Sequence, residues 1–160
     1  MNAIRIGHGY DVHAYAPGGG FVLGGVPLDC EFAIVAHSDG DVLIHALCDA
    51  LLGALGQGEI GRLFPDDDPD NAGRDSREFL REVKRRADAG GYGLGNADVT
   101  IIAQAPKMAA SIDAMRRVLA TDLDCDEACI NIKATTTEGL GFIGEKQGIA
   151  VAAVVLLERR

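Results

Sequence analysis

The sequence has no excess of positive charge, no apolar run of membrane length and no cysteine framework, and each absence removes a class of protein. Fifteen lysines and arginines stand against 24 aspartates and glutamates, a net charge of −9. The summed field repels a polyanion, so nucleic acid is a poor partner. A phosphorylated metabolite still fits, provided that metal ions or local donors screen its charge. The longest apolar run, Ile149 to Leu157, has nine residues, well short of the roughly 20 that a membrane helix needs. Four cysteines, Cys30, Cys48, Cys125 and Cys129, form no C-x-x-C pair and are too sparse for a disulfide scaffold, so reduced thiols are expected. The C-x3-C at Cys125 and Cys129 reads as packing more readily than as a metal site. Met1 to Tyr10 lacks the basic-then-apolar layout of a secretory signal, and the expected compartment is the cytoplasm.

What is present suits a folded chain. An apolar share of 48% and a charged share of 24% are ordinary for a globular protein, and 160 residues without repeat or linker are expected to form one domain, 1–160. Ile4 to His13 and Phe21 to Leu28 read as strands on either side of the turn Pro17-Gly18-Gly19-Gly20. Ser38 is a capping residue with Asp41 three positions later, which predicts a helix from there to about Leu55. Phe64 to Arg74 is crowded with proline, aspartate and glycine and reads as a loop. Asp75 and Glu78 then cap a helix that shows Phe79, Leu80, Val83 and Ala87 on one face and ends at Gly90-Gly91. A strand over Asp98 to Ala105, a helix over Ser111 to Leu123, and strands over Cys129 to Ala134 and Gly148 to Leu157 complete the order. The expectation is an α+β, two-layer sandwich with a mixed, four-stranded-type sheet and helices on one face. The unbroken apolar final strand requires cover on its other face, which sheets packed together in a symmetric oligomer would supply.

Within that frame, Asp11 and His13 are two residues apart on a strand and point to one side, with Val12 expected in the core. His45 lies on the first helix, with Asp41 and Asp49 four residues to either side as candidates to orient its ring. Two imidazoles and a carboxylate leave an open position on a divalent ion such as zinc. A strand-end pair beside a satisfied core histidine explains the same spacing. His37, just before the Ser38 cap, stands where helix amides attract an anion, whereas His8 is expected to have a structural role.

Gly7-His8-Gly9-Tyr10-Asp11-Val12-His13, Ala36-His37-Ser38-Asp39-Gly40-Asp41 and Ala134-Thr135-Thr136-Thr137-Glu138 resemble the 2-C-methyl-D-erythritol 2,4-cyclodiphosphate synthase family. Ile60 to Asp66, Asp98 to Met108 and Gly141-Phe142 extend the resemblance over nearly the whole chain, in the family's order. It implies a homotrimer with active sites between subunits and a step of the non-mevalonate isoprenoid pathway. In that step 4-diphosphocytidyl-2-C-methyl-D-erythritol 2-phosphate closes to the 2,4-cyclodiphosphate and releases CMP. It further implies zinc, or another divalent metal, on Asp11, His13 and His45, and a second ion, Mg2+ or Mn2+, on Glu138. His37 and Thr136 occupy the positions that stabilise the phosphates as charge builds. Ser38, Glu59, Gly61, Phe64, Asp66 and Asp68 fall at ligand-contact positions, with Glu59 where the family more often has aspartate. Ala103, Pro106, Lys107 and Met108 match the cytosine pocket, and Thr135, Thr137, Phe142 and Glu145 complete the implied substrate positions. Glu145-Lys146-Gln147-Gly148 departs from the family's Arg-Gly-Glu-Gly, and reverses the charge of an arginine associated with a central cavity for an isoprenoid diphosphate. A metal-dependent phosphohydrolase, in which the metal activates water, is the rival that the same ligands allow.

Overall fold

The computed structural model describes residues 3–160. The first strand, β1 (Ile4–Pro17), pairs antiparallel with the last, β7 (Gly148–Arg159), from Ile4 opposite Glu158 to Ala14 opposite Gly148. On its other side β7 pairs antiparallel with β5 (Tyr92–Ile102), which runs parallel to β6 (Ile130–Thr135). A short strand β4 (Phe32–Ile34) joins the end of β1, so the sheet has five strands in the order β4-β1-β7-β5-β6. The expected four-stranded sheet thus gains one strand, too short for alternation to reveal. Phe21 to Leu28 is not one strand but a separate hairpin, β2 (Phe21–Leu23) and β3 (Val26–Leu28). Gly24 and Gly25 turn it with φ of 57° and 73°, a conformation that glycine adopts freely.

Three long helices, α1 (Val42–Leu55), α3 (Ser76–Ala89) and α4 (Ile112–Leu123), cover one face, and α2 (Ile60–Leu63) and α5 (Gly141–Gly144) are single turns. The mostly apolar α1 lies against β1 and β7, and α3 packs between α1 and α4. The first helix does not start at Ser38. Its cap is Asp41, whose buried carboxylate accepts from the amides of Ile44, Gly24 and Gly25 at 3.0, 2.9 and 2.7 Å, tying the helix to the hairpin. His37 therefore lies a full turn ahead of the helix amides, not on them. Asp75 does cap α3, accepting from Arg77 N at 2.9 Å.

Two glycines set the depth of α1. A Cβ on Gly7 or Gly9 would lie 1.8 Å from the Ala50 carbonyl oxygen or 1.9 Å from that of Ala46. The bare strand backbone lets the helix approach closely, as glycines within strands often do. The alternation of β1 is also inverted relative to expectation at Val12. Gly7, Gly9, Asp11 and His13 face the helices, whereas Ile4, Ile6, Tyr10 and Val12 form an exposed outer face with Val154 of β7. Val12 thus points away from the core within this chain. His8 lies on that outer face, exposed, in register with Val154.

Candidate metal centre and adjoining clefts

Because α1 sits so close to β1, the first-turn residue His45 reaches the strand pair Asp11 and His13. Asp11 Oδ2 lies 2.8 Å from His13 Nε2 and 3.4 Å from His45 Nδ1. One ligand atom from each of the three falls within 4.8 Å of the other two. Two nitrogens and one carboxylate oxygen at that spacing fit zinc, with a position left open toward solvent. The electrostatics suit a cation. Although burial alone would raise it, hydrogen bonds from His13 and His45 hold the Asp11 carboxyl at about 2. Burial opposes the charged form of His13, but its bonds to Asp11 and to the backbone of Val35 raise its pKa.

The orienting group of His45 is neither Asp41 nor Asp49. Asp41 is committed to the hairpin, and Asp49 accepts from Ile60 N at 2.7 Å and starts α2. The second ring nitrogen, Nε2, instead meets Ser76 Oγ at 2.8 Å and Ser38 Oγ at 3.3 Å. Ser76 was not a sequence candidate, because only the fold brings the start of α3 to residue 45.

The open position faces a cleft of about 400 Å3, on whose wall lie His37, Ser38, Gly61, Phe64 and Asp66. Phe64 stacks on Phe79 with centroids 4.2 Å apart, and the Arg74 guanidinium lies over both rings. That layer fixes one side of the cleft. His37 is exposed, its Nε2 3.2 Å from the Asp68 carbonyl, and Glu59 precedes α2 on the exposed surface.

The remaining candidates gather elsewhere. Ala103, Pro106, Lys107, Met108, Thr135 and Thr136 surround a second cleft of about 440 Å3. Ala103 N donates to Thr135 O at 3.0 Å, and Tyr15 Oη donates to Ala105 O at 2.8 Å, which hold its wall. The loop after β6 is closed by Glu138 N donating to Thr136 Oγ1 at 3.2 Å and Thr137 Oγ1 donating to Leu140 O at 2.6 Å. Glu138 is exposed with φ +55°. Phe142 and Glu145 line neither cleft; Glu145 accepts from Gln147 Nε2 at 2.9 Å. Strand register puts Val12, Ala150, Ile102 and Thr135 in one row. Three strand spacings, roughly 14 Å, therefore separate the strand of Asp11 and His13 from the Thr135 strand.

Similarity to known proteins follows the same residues. The sequence model of the YgbB family matches residues 4–158. A Vibrio vulnificus (strain YJ016) protein named 2-C-methyl-D-erythritol 2,4-cyclodiphosphate synthase is 62% identical over 154 residues, 96% of this chain and 98% of its own. One of the same name from Thioalkalivibrio sulfidiphilus (strain HL-EbGR7) is 61% identical over 158 residues, 99% of each. A solved structure of IspF from Plasmodium falciparum, a CDP complex, resembles the chain with a TM-score of 0.88 and 37% identity, covering 100% of this chain and 99% of that one. The match runs from the first strand through the last and takes in the candidate metal ligands and both clefts, and the chain belongs to the YgbB family, that of the 2-C-methyl-D-erythritol 2,4-cyclodiphosphate synthases.

Proposed function

We propose that this chain converts 4-diphosphocytidyl-2-C-methyl-D-erythritol 2-phosphate to 2-C-methyl-D-erythritol 2,4-cyclodiphosphate and CMP, in the non-mevalonate isoprenoid pathway, as one domain over residues 1–160. Residues 1 and 2 lie outside the described part. The observation that carries this reading is the convergence of Asp11, His13 and His45 on one point open to a cleft, in a chain so similar to named synthases.

The reaction needs little covalent help, because the nucleophile, the 2-phosphate, is already in the substrate; alignment and charge screening lower the barrier. A divalent ion on Asp11, His13 and His45, with zinc the best fit, would supply positive charge that anchors and screens a phosphate, and Glu138 would hold a second, Mg2+ or Mn2+. His37 donates a hydrogen bond to a phosphate at the rim of the first cleft, and Thr136 does so at the second. Loss of such a donor typically costs about 3 kcal/mol in the transition state. Ser38, Gly61, Phe64, Asp66 and Asp68 shape the methylerythritol side and Glu59 meets the ribose. Ala103 and Pro106 to Met108 receive the cytosine and its phosphate, beside Thr135 and Thr137. Phe142 and Glu145 complete the carried-over substrate positions.

Most of those groups line two clefts of one chain. A homotrimer that packs the outer sheet faces together would cover Ile6, Tyr10 and Val154 and place one subunit's metal cleft beside its neighbour's Thr135 to Glu138 loop. The four cysteines are free thiols, which suits the cytoplasm, and no described helix is long and apolar enough to cross a membrane.

In oxygen-18 water the cyclic product should form unlabelled with stoichiometric CMP. Label in the phosphates, or a ring-opened product, would identify a phosphohydrolase. His45→Ala should lose zinc on dialysis while retaining its circular dichroism; full zinc content in that variant would overturn the metal assignment.

A further inference from the structure

We propose that Asp39 and Ser76 are positioning residues for the metal ligand His45, a carboxylate–hydroxyl–imidazole relay that fixes which ring nitrogen is free to bind the ion. The inference rests on Asp11, His13 and His45 forming the metal site.

Ser76 is the first residue of α3 and is fully buried. Its hydroxyl donates to Asp39 Oδ1, and its amide donates to Asp39 Oδ2 at 3.0 Å. The same carboxylate accepts from Asp41 N at 3.1 Å. A carboxylate surrounded by donors can only accept, so the Ser76 proton is committed to it. The Ser76 oxygen that faces His45 Nε2 at 2.8 Å therefore presents a lone pair, and the imidazole must donate. Ser38 Oγ, 3.3 Å from the same nitrogen and itself accepting from Gly40 N at 3.3 Å, offers a second acceptor. The ring thus keeps a proton on Nε2, and once Nδ1 gives up the proton it shares with Asp11, 3.4 Å away, its lone pair faces the point where the candidate ligand atoms converge. The opposite arrangement would point the Ser76 lone pair at a carboxylate oxygen within hydrogen-bond distance.

The relay is built into the backbone. Asp39 N donates to Arg74 O at 3.1 Å and Gly73 N to His37 O at 2.8 Å, clamping the residue 37–39 segment to the residue 73–76 segment. Its ends are 31 and 37 residues from Ser76 in sequence, so it exists only in the folded chain. Partners of this kind typically tune metal affinity 10- to 100-fold.

The test is zinc affinity by chelator competition on the full-length protein, with Co2+ absorption spectra as a report of ligand geometry. Ser76→Ala and Asp39→Asn should each stay folded by circular dichroism and bind zinc about 10- to 100-fold more weakly. Asp75→Ala, which removes the α3 cap without touching the relay, should lower the melting temperature and leave zinc affinity and the cobalt spectrum unchanged. Wild-type zinc affinity in both relay variants would overturn the proposal, as would an equal loss in Asp75→Ala, which would mark a general effect of α3. Should Ser76→Ala fail to fold, Asp39→Asn and nitrogen-15 NMR of the zinc-loaded wild type decide. A proton on Nε2 of His45 supports the relay, and zinc on Nε2 overturns it. A wild type that takes up no zinc, or a His45→Ala variant that binds it normally, refutes the metal site itself and is distinguished by that control.

Discussion

Among single residues, the Asp11–His13 pair shares a hydrogen bond that a metal bound there would have to displace. In the metal-free protein, His13 has its pKa raised above 6.5, its bond to Asp11 outweighing burial. A raised folded value means that the pair's contribution to stability is complete below about 6.5 and fades as pH rises past the raised value. Zinc binding runs the other way, since it requires the neutral ring. The rise in melting temperature on zinc saturation should therefore be larger at pH 8 than at pH 6. An equal rise at both values, by differential scanning calorimetry, would remove His13 from the ligand set. Asp11 titrates on the acid side. Its folded value of about 2 lies below the ordinary 3.8, so its pairing stabilises metal-free protein above about 4 and is lost as pH falls toward 2. Asp11 and His13 were legible in sequence because a strand's two-residue period puts both on one side. Ser76 was not, since nothing in its spacing relates it to His45.

Elements meet through glycine and through one buried carboxylate. Gly9→Ala would drive a methyl group into the Ala46 carbonyl, backbone against backbone, where neither partner yields cheaply. We expect a loss of about 3 kcal/mol in denaturant unfolding, together with weaker zinc binding as α1 is pushed off β1. Gly53, on the exposed side of α1, is the contrast. Its added Cβ would meet only the His8 carbonyl oxygen at 3.8 Å, so Gly53→Ala should stabilise by up to about 1 kcal/mol through helix propensity. A neutral Gly9→Ala would show that the close packing is unnecessary. Asp41→Ala strands three amides, two of them from the β2–β3 turn, and should cost about 2–4 kcal/mol in the same measurement. The residue 38–41 segment reads Ser-Asp-Gly-Asp, and three of its members carry a side-chain oxygen that can cap a helix. The choice of Asp41 over Ser38 follows from the hairpin amides that reach it, which local sequence does not encode. The long strands and α3 were legible because their alternation or capping is unambiguous. The residue 32–34 and 60–63 elements are too short for periodicity to show.

At the scale of the molecule, the outer sheet face is the unfinished surface. Ile6 is 69% exposed, Tyr10 52% and Val154 45%, a contiguous apolar face of the kind that marks an interface. In the proposed homotrimer this face packs against a second sheet, so Ile6→Asp should give a folded monomer in light scattering, because a charge there cannot be desolvated. Its turnover should fall well below one tenth of wild type, because the proposed pairing of the two clefts between subunits would be lost; a fully active monomer would refute that shared site. By itself the sequence determined the α+β class, the long strands and helices, and the candidate ligand set Asp11, His13 and His45, since each is written in local periodicity, capping or motif. Tertiary structure alone decided the direction of Val12, the cap of α1, the partner of His45 and the grouping of candidate residues around two clefts. Each depends on groups brought together from distant parts of the chain, and it is long-range packing, not local preference, that sets which donor meets which acceptor.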